Sequence, residues 1–363
     1  MKTGGVSRYV HDILDCKITQ FHYVLFNTSR PEKKIIKPGT GYIELFNSGL
    51  LRSIQAIFIT LTHMISFPFY LLTKKIDIVH VCGVSFWVFW ENAYYIFVSK
   101  IFGIPITIHY LGALDLYFNS CSNTEKYLIK LVLNLPDKVI LLSKKAQILA
   151  ETIIPSPKLA IIPSNVNITS FTNNLTKRKS LEDGIVRILF VGGADPFRKG
   201  IYDVINSIAL VAKENLNIKF IFSGGKSIQS LANYWEDLGL SDYIEYIGWI
   251  PEESKVDLYH QVDILVLPSY NEGLPYVIIE ALASGLPIVA STIGGIPEVI
   301  LNGENGYLIE PGDTNTLAKY IALLVKDKAL RESIRLKNIS RAEQNYSSEK
   351  LIKELETIFE EVH

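Results

Sequence analysis

Short apolar runs separated by helical stretches recur along this chain, and the rhythm restarts once after a polar break. Before the break, strand-like runs fall at residues 21–26, 76–81, 105–109, 138–142 and 159–162. After it they fall at 187–191, 219–222, 243–247, 264–266 and 288–290, with a helix expected over 201–213. Strands that alternate with helices pair in parallel, because the crossover helix returns the chain to the same sheet end. The pattern predicts two α/β domains, each a doubly wound parallel sheet. Residues 172–184 are polar and hold the break. Boundaries are therefore expected at 1–172 for the first domain, 173–184 for a linker and 185–345 for the second domain. An amphipathic helix closes the chain at 346–363. With 363 residues and 48% hydrophobic side chains, there is enough apolar material for two cores.

Charge is unevenly divided. Residues 1–170 carry 17 Lys/Arg against 10 Asp/Glu, a balance of +7, and residues 171–363 carry 19 against 27, a balance of −8. A basic first domain suits an anionic membrane surface or a lipid-phosphate acceptor. From Ser53 to Thr73 there are 21 residues with no Asp, Glu, Lys or Arg. Gln55, His63 and Pro68 within that stretch favour a helix packed on a sheet and touching a bilayer surface over a membrane span. The chain opens without an apolar leader, and its three scattered cysteines form no metal-binding or disulfide pattern. A cytoplasmic protein peripheral on the inner face of the membrane is expected, with no resident metal or cofactor and no nucleic-acid partner.

Two segments carry chemistry. In the first, the apolar run 264–267 ends at Pro268, Pro275 suits a first helical turn and Gly285 suits the helix end. Glu272 then sits at the carboxyl edge of a strand, where open α/β sheets bind ligands. Backbone N–H groups around Leu274, Tyr276 and Val277 face an anion at the helix start, and Glu280 lies about a turn and a half further in. Taken alone, Glu280 reads as a residue serving the helix dipole. In the second segment, the strand 187–191 runs into Gly192 and Gly193, then Arg198, Lys199 and Gly200, before a helix. Glycines admit a phosphate to the backbone and Lys199 neutralises it. Neither a Walker A loop nor GxGxxG is present, so nothing here supports NAD binding. His109 ends the strand 105–109; taken alone it reads as a satisfied core histidine. The aromatic run 86–90 reads as core or a membrane-facing surface.

These segments together resemble the retaining GT-B glycosyltransferases of family 4, also called group 1. Glu272 and Glu280 match that family's E-x7-E motif, and Lys199-Gly200 matches its phosphate loop. Residues 291–298 and 302–308 match its C-terminal signature, and residues 161–167 resemble its strand end that usually reads Pro-Asn-Gly-Val-Asp. Gly4-Gly5-Val6 looks like the glycine loop after the first strand, and 107–109 like the strand whose histidine lies beside the transferred sugar. Two departures stand out: Gly193 occupies a position where members often carry Arg, and Ser164-Asn165 replace the usual Asn-Gly. The resemblance implies two Rossmann-like domains facing a cleft, with the final helix packing back on the first. It implies transfer of a hexosyl group from a nucleotide-diphosphate sugar to a glycan or lipid-linked acceptor, with retention of configuration and without a metal.

In that implied site, Glu272, His109 and Lys199 are catalytic. Gly5, Gly192, Gly193, Arg198, Lys199, Gly273, Leu274, Pro275 and Glu280 bind the donor. A nucleotide-sugar epimerase, a catalytically dead sugar-nucleotide binder and a glycosidase using Glu272 with Glu280 are the rival readings. Because only residues 1–3 precede the glycine loop, the first strand of the N-terminal domain is expected to be missing. Either the chain begins inside a longer reading frame that supplies the strand, or the runs 21–26 and 76–81 are expected to pair directly.

Overall fold

The structure is a computed structural model, and it describes residues 5–15, 19–28, 50–172, 184–214 and 216–363. The chain divides into two compact units. One holds residues 9–163 and 349–363, and the other holds residues 1–8 and 164–348.

In the first unit four parallel strands lie in the order β1 (Val79–Gly83), β2 (Ile106–Tyr110), β3 (Lys138–Leu141) and β4 (Leu159–Ile161). Ile106, Ile108, Val139 and Leu141 are fully buried, as expected of a parallel sheet covered on both faces. Among the described residues no strand lies beyond β1. The expected strand at 21–26 has no assigned secondary structure and no ladder, and Phe21 and Tyr23 pack on Phe359 of the final helix. Direct pairing of 21–26 with 76–81 is therefore not found among the described residues. Strand propensity there reflected aromatic packing rather than a hydrogen-bonded partner. Gly4 lies outside the described residues.

Three helices matter for this unit: α1 (Gly5–Leu14), α2 (Leu50–Lys74) and α3 (Trp87–Ile101). Pro68 sits inside α2. A proline there removes the N–H that would bond to Met64, four residues earlier. The freed Met64 carbonyl instead accepts from the Tyr94 hydroxyl of α3 at 2.7 Å. The uncharged stretch 53–73 is thus a continuous helix.

Tyr9, on α1, closes a buried hydrogen-bond chain over the sheet. His109 Nε2 lies 3.0 Å from the Ile162 carbonyl, which can only accept, so Nε2 carries the proton. Nδ1 of His109 accepts from the Tyr9 hydroxyl at 2.9 Å. The Tyr9 oxygen in turn accepts from His80 Nε2 at 2.8 Å, and His80 Nδ1 accepts from Thr107 at 2.7 Å. One carbonyl therefore fixes the direction of every bond in the chain.

In the second unit six parallel strands, β5 (Val186–Gly193), β6 (Ile218–Gly224), β7 (Ile244–Gly248), β8 (Ile264–Leu267), β9 (Ile288–Ser291) and β10 (Tyr307–Ile309), run in the order β10-β9-β8-β5-β6-β7. This is the doubly wound order, with the direction of winding reversing between β5 and β8. That reversal is where such sheets leave a crevice at the strand ends. Helices α4 (Ile201–Val211), α5 (Glu252–His260) and α6 (Tyr276–Ala283) follow β5, β7 and β8.

The boundary expected near residue 172 falls instead between Pro163 and Ser164. Residues after it are committed to the second unit: the Ser164 hydroxyl donates to the Leu274 carbonyl at 2.8 Å, and Phe171 packs edge-on against Tyr259. Residues 1–8 also group with the second unit rather than the first. Residues 173–183 of the expected linker lie outside the described residues. The last helix, α7 (Ser348–Val362), joins the first unit, where Glu361 pairs with Lys138 at 2.6 Å.

Burial holds His80 down to about 4, and burial together with the neighbouring His80 holds His109 down to about 3. An unfolded histidine titrates near 6.5. Above that pH both states are neutral and the pair contributes nothing to the pH dependence. Below it the unfolded chain takes up protons that the folded one refuses, so stability falls. The slope reaches about 1.4 kcal/mol per pH unit for each histidine. His109, fully buried, carries the larger share; His80 is half-buried. Urea unfolding between pH 7 and 5.5 should show a falling unfolding free energy. A flat profile across that window contradicts the neutral, buried pair.

Candidate active site

The second unit gathers its chemistry at the β5–β8 reversal. After β8 the chain turns at Pro268 and runs through Ser269–Leu274 into α6, whose N-cap is Pro275. Pro275 offers no side-chain cap, and the Ile278 N–H donates to the Pro275 carbonyl at 3.0 Å. After β5, Gly192 and Gly193 lead into the loop that carries Arg198 and Lys199.

Two close approaches lock these loops together. Gly200 has φ +80°, and a Cβ there would lie 2.2 Å from the Pro268 carbonyl oxygen. Gly294 has φ +53°, and a Cβ there would meet the Glu272 and Gly273 carbonyl oxygens at 2.2 and 2.3 Å. Gly295 N–H also donates to the Gly273 carbonyl at 2.6 Å. Only glycine permits such contacts. Tyr270 adds an anchor, with its hydroxyl donating to Asp203 of α4 at 2.8 Å and its N–H to the Arg198 carbonyl at 2.9 Å.

Glu272 and Glu280 have different surroundings. Glu272 lies 3.8 Å from Lys199 Nζ, 3.7 Å from Arg198 Nη1 and 3.4 Å from the Ser269 hydroxyl. At those lengths its oxygens are steadied by charge, yet they keep capacity to accept hydrogen bonds from a ligand. Arg198 is held by a bond to the Asn271 carbonyl. Burial lowers the Lys199 pKa, and Glu272 pulls part of it back.

Glu280 is completely buried. Its Oε1 meets Lys255 at 3.1 Å and Arg8 at 3.3 Å, and its Oε2 accepts from the Tyr259 hydroxyl at 2.7 Å. Burial alone would raise its pKa, but Lys255, Arg8 and Tyr259 outweigh it and hold the carboxyl below the usual range. The same environment drives the Tyr259 hydroxyl far above its ordinary value. Glu252 pairs with Lys255 at 2.8 Å and with Arg8, completing the cluster.

Two of the expected residues lie inside the protein. Glu280, expected to touch the donor, is an internal anchor for Arg8 and Lys255. His109, expected beside the transferred sugar, is fully buried in the first unit with both ring nitrogens engaged. A histidine inside a strand end had a buried structural role available, and the Tyr9 chain supplies it.

The remaining expected residues lie in the second unit. Gly193 accepts from the Gly225 N–H at 2.8 Å beside the end of β6, and Gly192 precedes it. Gly273 and Leu274 form the turn before α6. Gly5 begins α1 close to the Tyr276 ring, 3.3 Å from where its Cβ would be. Arg8, Lys255 and Tyr259 were not anticipated. For the latter two a signal existed: they stand four apart on α5, on one helical face. Glu280 and Lys255 add smaller, opposing charge effects on Lys199, Glu280 raising its pKa and Lys255 lowering it. Four cations, Arg8, Arg198, Lys199 and Lys255, stand against four carboxylates, Glu252, Glu272, Glu280 and Asp195, the last 3.8 Å from Arg198. Among the described residues no three His, Cys, Asp or Glu side chains gather as a metal site.

Residues 172–341 match the family described as Glycosyl transferases group 1. Over 161 residues the chain is 27% identical to the capsular polysaccharide biosynthesis glycosyltransferase CapM of Staphylococcus aureus, covering 44% of this chain and 42% of CapM. It is 30% identical over 165 residues to the N-acetyl-alpha-D-glucosaminyl L-malate synthase of Bacillus anthracis, covering 45% and 42%. The matches thus span less than half the length of these curated relatives. Among solved structures, sucrose-phosphate synthase from Thermosynechococcus elongatus superposes with a TM-score of 0.70 at 20% identity, covering 89% of this chain and 80% of that one. Anabaena HepE in complex with UDP gives 0.68 at 18% identity, covering 84% and 82%.

Gly200→Ala is expected to destabilise the fold by more than about 2 kcal/mol, from a left-handed backbone and a clash with a carbonyl that cannot move. Urea unfolding measures it. A variant within about 0.5 kcal/mol of the parent contradicts the close approach.

Proposed function

From residues 172–341, which belong to the group 1 glycosyl transferases and sit in a chain of GT-B fold, we propose that this protein is a nucleotide-sugar-dependent hexosyltransferase. The observation that carries the reading is the pairing at one crevice of uncommitted Glu272 with the cations Arg198 and Lys199. The diphosphate of the donor binds at Lys199 and Arg198. Glu272 accepts hydrogen bonds from hydroxyls of the sugar and fixes its orientation. Glu280 holds Arg8 and Lys255 in place from beneath. As the bond from the anomeric carbon to the diphosphate oxygen breaks, negative charge grows on the leaving group. Preorganised cations in a partly buried site stabilise that charge at little reorganisation cost.

The bond from the acceptor oxygen to the anomeric carbon forms on the face the diphosphate leaves. The acceptor's proton passes to a phosphate oxygen of the departing group. This front-face route gives retention and needs no protein nucleophile. It also needs no metal, because Lys199 and Arg198 meet the charge. The acceptor is a glycan or lipid-linked glycan intermediate, in line with the capsular polysaccharide role stated for CapM. The enzyme acts in the cytoplasm on the inner face of a membrane, with the basic first 170 residues toward anionic lipid.

Incubation with labelled UDP-, GDP- and ADP-hexoses and a lipid extract tests the reading. Transfer should occur from one of them, with product of the donor's anomeric configuration by NMR. Glu272→Ala should lower turnover by roughly tenfold to a hundredfold, the cost of a sugar hydroxyl left unpaired, with an unchanged thermal melt. Equal turnover in parent and variant contradicts the role of Glu272, and product of inverted configuration contradicts the front-face route.

A further inference from the structure

Helix α2 is apolar on two opposite sides, and among the described residues only one of them is packed. At about 100° per residue, Phe67 and Leu71 lie on one side. Both are buried against Tyr95 and Val98 of α3. Phe58, Leu61, Ile65, Phe69 and Leu72 fall within about 80° of one another, centred about 140° away from that side. They are 66%, 50%, 67%, 65% and 64% exposed. A helix that is apolar all round requires apolar surroundings all round. Isolated exposed leucines are ordinary, but a stripe along about four turns is not.

The neighbouring helix extends the surface. Trp87, Trp90, Tyr94, Phe97 and Ile101 share one face of α3 by the same spacing. Trp87, Phe97 and Ile101 on it are 57%, 55% and 67% exposed. Tyr94, bonded to Met64, ties this face to α2. The joined surface contains no Asp, Glu, Lys or Arg between Ala56 and Thr73, and exposed Lys74 and Lys75 bound it. Tryptophan within the apolar surface and lysines at its border suit the boundary between acyl chains and anionic headgroups.

The geometry points to α2 and the outer face of α3 as a docking surface for an anionic lipid bilayer, with α2 lying in the interface plane. Ala56–Lys74 is long and apolar enough to cross a membrane by length and composition. Spanning would strip Phe67 and Leu71 from Tyr95 and Val98 and return the Pro68-freed Met64 carbonyl to lipid without its partner. Lying flat keeps those contacts and buries only the exposed stripe. The proposal gives a surface to the membrane-side role inferred above and rests on that reading for its purpose, though the binding itself is independent of donor or acceptor.

The test is co-sedimentation of the full chain with phosphatidylcholine vesicles with and without about 30 mol% phosphatidylglycerol. The parent should pellet with the anionic vesicles, less well with neutral ones, and should be released by alkaline carbonate. Phe58→Ser with Phe69→Ser should weaken the partition by about tenfold or more. Both positions are exposed, so the melt of that variant should match the parent, as should its UDP binding by calorimetry. Three results overturn the proposal. One is equal vesicle binding by parent and variant. Another is retention after carbonate, which makes the helix a span. The third is absence of vesicle binding, whether or not the parent forms a dimer in sedimentation velocity that the variant lacks, since a second copy would then cover the face. Failure to bind UDP in a parent that still binds vesicles would count against the hexosyltransferase reading alone.

Discussion

Two carbonyl groups hold the candidate site together. The Pro268 oxygen, at the end of β8, is met at the distance of a missing Cβ by Gly200. The Glu272 oxygen is met in the same way by Gly294. Through these contacts the loops after β5, β8 and β9 become one rigid piece. Lys199 precedes one of those glycines, and Glu272 is itself the residue approached by the other. The backbone therefore fixes their separation before either side chain is considered. Tyr270, bonded to Asp203, ties the same piece to α4.

Charge is then distributed on that frame so that one carboxylate is spent and the other is kept. Glu280 is surrounded at 2.7 to 3.3 Å by Tyr259, Lys255 and Arg8, which offset the cost of burying it. Glu272 stands 3.4 to 3.8 Å from its neighbours. The buried carboxylate organises cations, and the looser one remains able to bond a sugar. Arg8 reaches this cluster from the amino-terminal segment, while the next residue, Tyr9, serves the histidine chain of the other unit. Consecutive residues on α1 thus have partners of unlike chemistry.

Much of this was legible in the sequence, for identifiable reasons. The six strands of the second unit follow from runs of Ile, Val, Leu and Phe punctuated by glycine and proline, and five of them were anticipated. The three-residue β10 was too short to stand out. Glu272 and Lys199 were legible because strand-end loops before helices mark the ligand edge of a parallel sheet. The role of Glu280 was not, because nothing local announces that Arg8, far away in the chain, fills its carboxylate. His109 misled for a related reason: a histidine at a strand end looks the same whether its nitrogens face a cleft or a buried tyrosine. The stretch 21–26 has strand composition, and only the ladder decides. The boundary near Ser164 was missed because polarity at 172–184 is more visible than the contacts of Ser164 and Phe171.

The central claim is that side-chain cations of the second unit, without a metal, hold a nucleoside diphosphate at the β5–β8 crevice. Calorimetric titration of UDP, GDP and ADP into the parent and into Lys199→Met, each with and without EDTA, measures this directly. The account predicts binding of one diphosphate that survives EDTA and weakens by about tenfold or more in the variant, as expected for a charged hydrogen bond worth about 1.5–3 kcal/mol. Loss of affinity on chelation alone, or equal affinity in parent and variant, would contradict it.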